Sequence, residues 1–84
     1  MNAMAHAEDV ALTKQVRRDF MRHHIDMTLA DVRVSHGVVY IRGTLRPEGR
    51  NASIDLKAEC ERIARLLRQR PGVRDVVLDV LYRT

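Results

Sequence analysis

Aromatic residues are nearly missing from this chain, which has one phenylalanine, two tyrosines and no tryptophan. Single-strand nucleic-acid readers and sugar platforms depend on ring stacking, so both classes are disfavoured from the outset. One cysteine excludes an internal disulfide and fits a reducing compartment. Two prolines, with 45% hydrophobic and 31% charged residues, make an ordinary globular composition and exclude intrinsic disorder. No apolar run approaches the ~18 residues of a membrane span. The opening MNAMAHAEDVALTKQV has neither a basic n-region nor the apolar core of a secretory signal. A cytoplasmic protein is therefore expected, with any membrane association peripheral.

What remains is 84 residues, enough for one domain and too few for a second core. A core of this size supplies only ~3–5 kcal/mol without staples, so self-association is a natural source of further stability. The net charge is +4, and thirteen of the fifteen cationic residues are arginine. Such a basic protein invites an anionic partner, lipid phosphate or nucleic acid. An Arg-heavy, Ala-rich chain also reflects a GC-rich genome alone, with the charges simply solvated.

Residues 1–7 are small and polar without periodicity and read as a flexible tail, leaving 8–84 as the domain. Leu12, Val16, Phe20 and His23 then recur at helical spacing, which predicts a helix from about Glu8 to His24. Glu8 and Asp9 fall in its first turn and Arg22, His23 and His24 in its last, as the helix dipole favours. Lys14, Arg18 and Arg22 form a stripe on the opposite side.

From Val32 to Ile41 the period changes to two, with His36-Gly37 as a two-residue turn. If that is the loop, Ser35 faces Val38, Val34 faces Val39, Arg33 faces Tyr40 and Val32 faces Ile41. One face of the hairpin then collects four aliphatics, and no shift by one residue does as well. Gly43 is expected to end the strand, followed by a breaker-rich loop, Arg46-Pro47-Glu48-Gly49-Arg50-Asn51.

Leu56, Cys60, Ile63 and Leu67, with Ala64 beside them, define a second helical stripe with Ser53 or Asp55 as N-cap. Pro71-Gly72 stops it. The last run, Val73 to Tyr82, is β-branched, with Val76, Leu78, Val80 and Tyr82 on one face and Val77, Asp79 and Leu81 on the other. The predicted order is αββαβ, an α+β fold.

Across the glycines the chain reads Val32-x-Val34-x-x-Gly37-x-Val39-x-Ile41-x-Gly43-x-Leu45, with Pro71-Gly72-Val73-x-x-Val76 downstream. This pattern resembles the BON domain, a small bacterial module named for osmotically induced and nodulation proteins, over nearly the whole chain from Val10 to Tyr82. The resemblance implies an αββαβ sandwich with both helices on one face of a three-stranded mixed sheet. It implies a role in binding phospholipid or the cell envelope, or in tethering partner proteins. Gly37, Gly43, Pro71 and Gly72 carry over as structural positions, and the family offers no catalytic constellation or cofactor to transfer. Family members are often exported or joined to another domain, and this chain shows neither feature.

Chemistry-bearing residues are few. Cys60 lies on the apolar stripe of helix two, where a free cysteine acts as a small buried hydrophobe rather than a nucleophile. His23 and His24 with Asp19 and Asp26 lack metal-ligand spacing, because adjacent histidines point about 100° apart on a helix. His36 reads as a turn residue. On helix two, Lys57-Glu61-Arg65 predicts two i,i+4 ion pairs, which would neutralise that face. Lys14, Arg18 and Arg22 have only Asp19 nearby, so they are the candidate anionic-surface residues.

A non-enzymatic binding module is expected, with no catalytic residue, metal or cofactor. It docks on a protein partner, on itself or on an anionic phospholipid surface. The alternative is a nucleic-acid-binding domain using the helix-one arginines and the Arg33, Tyr40 and Arg42 strand surface. The register that buries the hairpin aliphatics turns Arg33, Val38, Tyr40 and Arg42 outward, and strand three adds Val77 and Leu81 to that side. With both helices on the other face, these residues form an open contact surface, anchored by Tyr40 for a protein partner or a homodimer. Alternatively, Tyr40 covers Arg33 in a cation–π contact.

Overall fold

The computed structural model of the chain describes residues 3–49 and 55–83. Helix α1 spans Ala3–Arg22, strand β1 Ile25–Ser35, strand β2 Val38–Pro47, helix α2 Leu56–Arg68 and strand β3 Asp75–Tyr82. The order is the predicted αββαβ, and the sheet is mixed. Strand β2 lies in the centre, antiparallel to β1 and parallel to β3. Parallel pairing of β2 with β3 requires a crossover, and α2 supplies it.

The hairpin adopts the predicted register, with Val32 opposite Ile41, Val34 opposite Val39 and Ser35 opposite Val38. His36 and Gly37 both have positive φ, 51° and 80°, as a two-residue I′ turn requires. Gly37 is also sterically fixed, because a Cβ there would lie 2.6 Å from the Gly72 carbonyl oxygen. Its own carbonyl accepts from the Arg74 N–H at 2.8 Å. The turn and the Pro71-Gly72 loop are thereby packed together.

Strand β2 does not end at Gly43 but runs on to Pro47, so Arg46 and Pro47 belong to the sheet rather than to a loop. Gly43 is there because β1 comes close. A Cβ would sit 2.3 Å from the Leu29 carbonyl oxygen and 2.9 Å from the Ala30 Cα. Strand β1 likewise begins well before Val32, at Ile25. Between Asp26 and Leu29 its register slips by one residue against β2, which marks a β-bulge. Side-chain parity changes there, so Ile25 and Met27 point into the core before the bulge, and Val32 does so after it.

Helix α1 starts at Ala3 rather than Glu8, so residues 3–7, expected as tail, are helical. Ala3, Ala5 and Ala7 are the strongest helix formers and account for this extension. Glu8 and Asp9 accordingly lie beyond the first turn. The helix ends at Arg22, and His24 (φ 60°) turns the chain directly into β1. Helix α2 is capped by Asp55, whose carboxylate accepts from the Ala58 N–H at 3.1 Å. Ser53, the other candidate cap, lies outside the described residues.

One apolar core joins both helices to one face of the sheet. It contains Val16 and Phe20 from α1, Leu56, Cys60, Ile63, Ala64 and Leu67 from α2, and Ile25, Met27, Val32, Val39, Ile41, Leu45 and Val76 from the strands. Leu12 and Val34, expected in it, are partly buried against its edge. No charged or polar residue is buried among those described, so apolar burial holds the fold together.

Candidate functional site

The face of the sheet turned away from the helices is built in rows across the three strands. Leu29, Thr44 and Leu81 stand side by side, then Asp31, Arg42 and Asp79, then Arg33, Tyr40 and Val77, then Ser35, Val38 and Asp75. All six residues expected on the open face are there, with Val38 half-buried and the other five exposed. The apolar members remain accessible to different degrees, at 67% for Leu81, 56% for Leu29, 41% for Tyr40 and 38% for Val77. Leu29 lay outside the strand expected from Val32 onward. Regular alternation carried back from Val32 through Asp31 and Ala30 turns Leu29 to the open face, and that parity was its signal.

The charges on this face are largely matched. Arg42 lies 3.4 Å from Asp79, Arg33 3.8 Å from Asp31, and Arg46 2.7 Å from Asp26. The Thr28 backbone N–H, and to a lesser extent Arg46, hold the Asp26 carboxyl below its usual range. Interleaved pairs of this kind are weak, ~0–1 kcal/mol each, but they leave little net field for a polyanion. Beside them Arg33, Ser35, Tyr40 and Arg42 line an open groove of about 480 Å³. The tyrosine thus sits between a charged guanidinium on one strand and Val77 on the other, partly exposed and fixed by the sheet.

Lys14, Arg18 and Arg22 are all exposed on α1, and none forms an ion pair among the described residues. Asp19, their only acidic neighbour on the helix, is taken by Arg70 at 3.1 Å and by Gln15. The i,i+4 pairs expected on α2 do not form. The ion pairs of α2 are made by other residues, Glu59 with Arg62 at 2.6 Å and Arg68 with Asp75 at 3.1 Å. Asp75 is held below the ordinary carboxylate range, first by the Val76 N–H and then by Arg68.

Cys60 is fully buried, and burial pushes its thiol up to about 12, with Glu59 and Glu61 adding to the effect. At neutral pH it is a protonated hydrophobe and has no thiolate to offer. The histidine and aspartate cluster is dispersed. His23 approaches Glu59 at 3.5 Å, Asp19 is held by Arg70 and Asp26 by Arg46. Among the described residues, no group of three or more His, Cys, Asp or Glu side chains gathers where it could hold a metal ion. No described helix is long and apolar enough to cross a membrane. No family model matches the chain, and no curated protein matches it either.

Proposed function

We propose that this chain is a non-enzymatic binding module, of the kind its resemblance to BON domains implies, that docks a protein partner on the open face of its sheet. The observation that carries this reading is the grouping of Leu29, Tyr40, Val77 and Leu81 on one uncovered face. These residues form two clusters, Tyr40 with Val77 and Val38, and Leu29 with Leu81 on either side of Thr44, divided by the charged row Asp31, Arg42 and Asp79. Exposed apolar groups interleaved with paired charge on one flat face suit a protein partner. Tyr40 is the anchor of the face, a rigid amphipathic ring that loses little conformational freedom on binding. The matched Arg and Asp rows favour a protein surface of mixed charge over nucleic acid, because phosphate binding needs uncompensated cations.

A photoreactive phenylalanine analogue placed at position 40 in the living cell tests this. It is expected to form a covalent adduct of defined mass that is lost when Leu29 and Leu81 are changed to Asp. The same group at exposed Arg74, away from the face, should give none. Position 40 crosslinking no better than position 74 would refute the docking face, and the adduct mass separates a different protein from a second copy.

A second reading, association with an anionic phospholipid surface, is favoured by the uncompensated stripe of Lys14, Arg18 and Arg22. Each cation near such a membrane contributes ~1 kcal/mol. Vesicles containing phosphatidylglycerol are therefore expected to bind the parent at low salt and to lose it when all three residues are reversed to Glu. Binding that survives the reversal would assign the membrane contact to another surface.

A further inference from the structure

We infer that strand β3 is the contact between two copies of this chain, which pair antiparallel through its free edge around Val80. Four features converge on it. The first is the direction of the backbone groups. The Arg83 N–H donates to the Leu45 carbonyl, so the odd-numbered residues of β3 face β2. Alternation along a strand then turns the N–H and C=O groups of Val76, Leu78, Val80 and Tyr82 outward.

The second feature sets the length of the ladder. At Val76 both outward groups are already taken, the N–H by the Asp75 carboxylate at 2.8 Å and the C=O by the Arg68 guanidinium at 2.7 Å. Leu78, Val80 and Tyr82 are left, a set symmetric about its middle member. A two-fold axis at Val80 places Val80 opposite its own copy and Leu78 opposite the second copy's Tyr82. Every outward group of the three residues then has a partner, and the interface is closed, as an isologous contact must be.

Side-chain chemistry is the third. Toward the helices Leu78, Val80 and Tyr82 are half-buried and floor an open groove of about 550 Å³ beneath Lys57, Glu61, Arg65 and Arg68. In this register the second copy's Tyr82, Val80 and Leu78 lie alongside the same three residues, apolar against apolar. On the open face Asp79 stands directly opposite the second copy's Leu81 and lies diagonal both to the second copy's Asp79 and to its Arg83, so each arginine offsets the aspartate pair that meets across the axis. Leu81, the most exposed of the large apolar residues, comes diagonal to its own copy.

The last is the lack of protection. Natural edge strands are blunted by lysine, proline, bulges or inward charges. Strand β1, the other edge, has its bulge. Strand β3 reads Asp75-Val-Val-Leu-Asp-Val-Leu-Tyr82 in unbroken register, without lysine, proline or bulge, and beyond Val76 its one charge is Asp79. The pairing stands whether or not the open face docks a protein. If it does, two Tyr40-centred patches become neighbours on one continuous sheet and bind a repeated partner with avidity.

The experiment is light scattering from micromolar to millimolar protein, together with hydrogen exchange at both ends of that range. The parent is expected at twice its 9.7 kDa mass at high concentration, with the Leu78, Val80 and Tyr82 amides protected only there. Val80→Pro removes an outward N–H that the fold does not use and should weaken association by about tenfold or more, with an unchanged circular dichroism spectrum. Should that variant misfold, Leu81→Asp, at an exposed position, decides the matter by setting a carboxylate directly opposite the second copy's Asp79, twice by symmetry. A Leu29→Ser, Tyr40→Ser double variant alters the open face away from β3 and should leave the dimer intact. A parent monomeric throughout, a dimer that survives the folded edge variants, or one lost only in the Leu29, Tyr40 variant would overturn the inference. So would protection of those three amides that is independent of concentration.

Discussion

Replacing Gly43 with alanine is expected to unfold the protein near room temperature. At φ 119° an L-residue is strained, and its Cβ would stand 2.3 Å from the Leu29 carbonyl oxygen, a backbone atom that cannot turn aside. Strain at such a φ costs ~1–3 kcal/mol. Overpacking against an immovable neighbour adds ~1–3 kcal/mol. Their sum matches the whole stability expected of a domain this small, ~3–5 kcal/mol. Gly72→Ala separates the two contributions, since Gly72 also has positive φ (87°) but nothing within 4 Å of its would-be Cβ. Thermal melts followed by circular dichroism should show Gly72→Ala folded with a lowered midpoint and Gly43→Ala without a cooperative transition. Equal midpoints for the two would mean that the approach of β1 to β2 at Gly43 costs nothing.

Leu67→Ala should cost ~2–5 kcal/mol, and its neighbour Leu66→Ala about 0.5 kcal/mol or less. The residues are adjacent on α2 and identical in helix propensity, yet Leu67 is 1% exposed and Leu66 50%. Leu67 packs in the core shared with Phe20, Ile63 and Val39, so truncation leaves a cavity as well as losing transfer energy. Urea denaturation of both variants measures the contrast directly. Comparable midpoints would place the core of α2 on the wrong stripe.

Where one period ran without interruption, the fold could be read from the residues. Val32, Val34, Val39 and Ile41 around His36-Gly37 define the hairpin register, and Leu56, Cys60, Ile63 and Leu67 define the buried stripe of α2, because in each case one face only is apolar. The first half of β1 was illegible for a local reason. The bulge before Leu29 reverses parity, so Ile25 and Met27 do not align with Val32 in any single alternation. Gly43 misled because a glycine inside a strand and one ending it look alike until the neighbouring strand's carbonyl is in view. The open face was legible as far as the register reached, from Arg33 to Arg42 and on to Val77 and Leu81, and it stopped short of Leu29. Glu59 with Arg62 was an i,i+3 pair that helical spacing offered, whereas the partner of Arg68 lay beyond such spacing, since Arg68 reaches Asp75 across the turn that follows α2.

The mixed pairing of the central strand also sets an order of assembly. Strands β1 and β2 are joined by a two-residue turn, and a hairpin of that kind closes in ~1–10 μs. Strand β3 meets β2 at Tyr40 and Val77, so its docking must wait for a long loop to close and for α2 to lie across the sheet. During that interval β2 shows a bare edge carrying Val39, Ile41 and Leu45, all fully buried in the finished protein. The topology therefore predicts that the hairpin forms ahead of the β2–β3 pairing, and that until α2 has crossed the sheet the edge of the central strand is open to a strand of another chain.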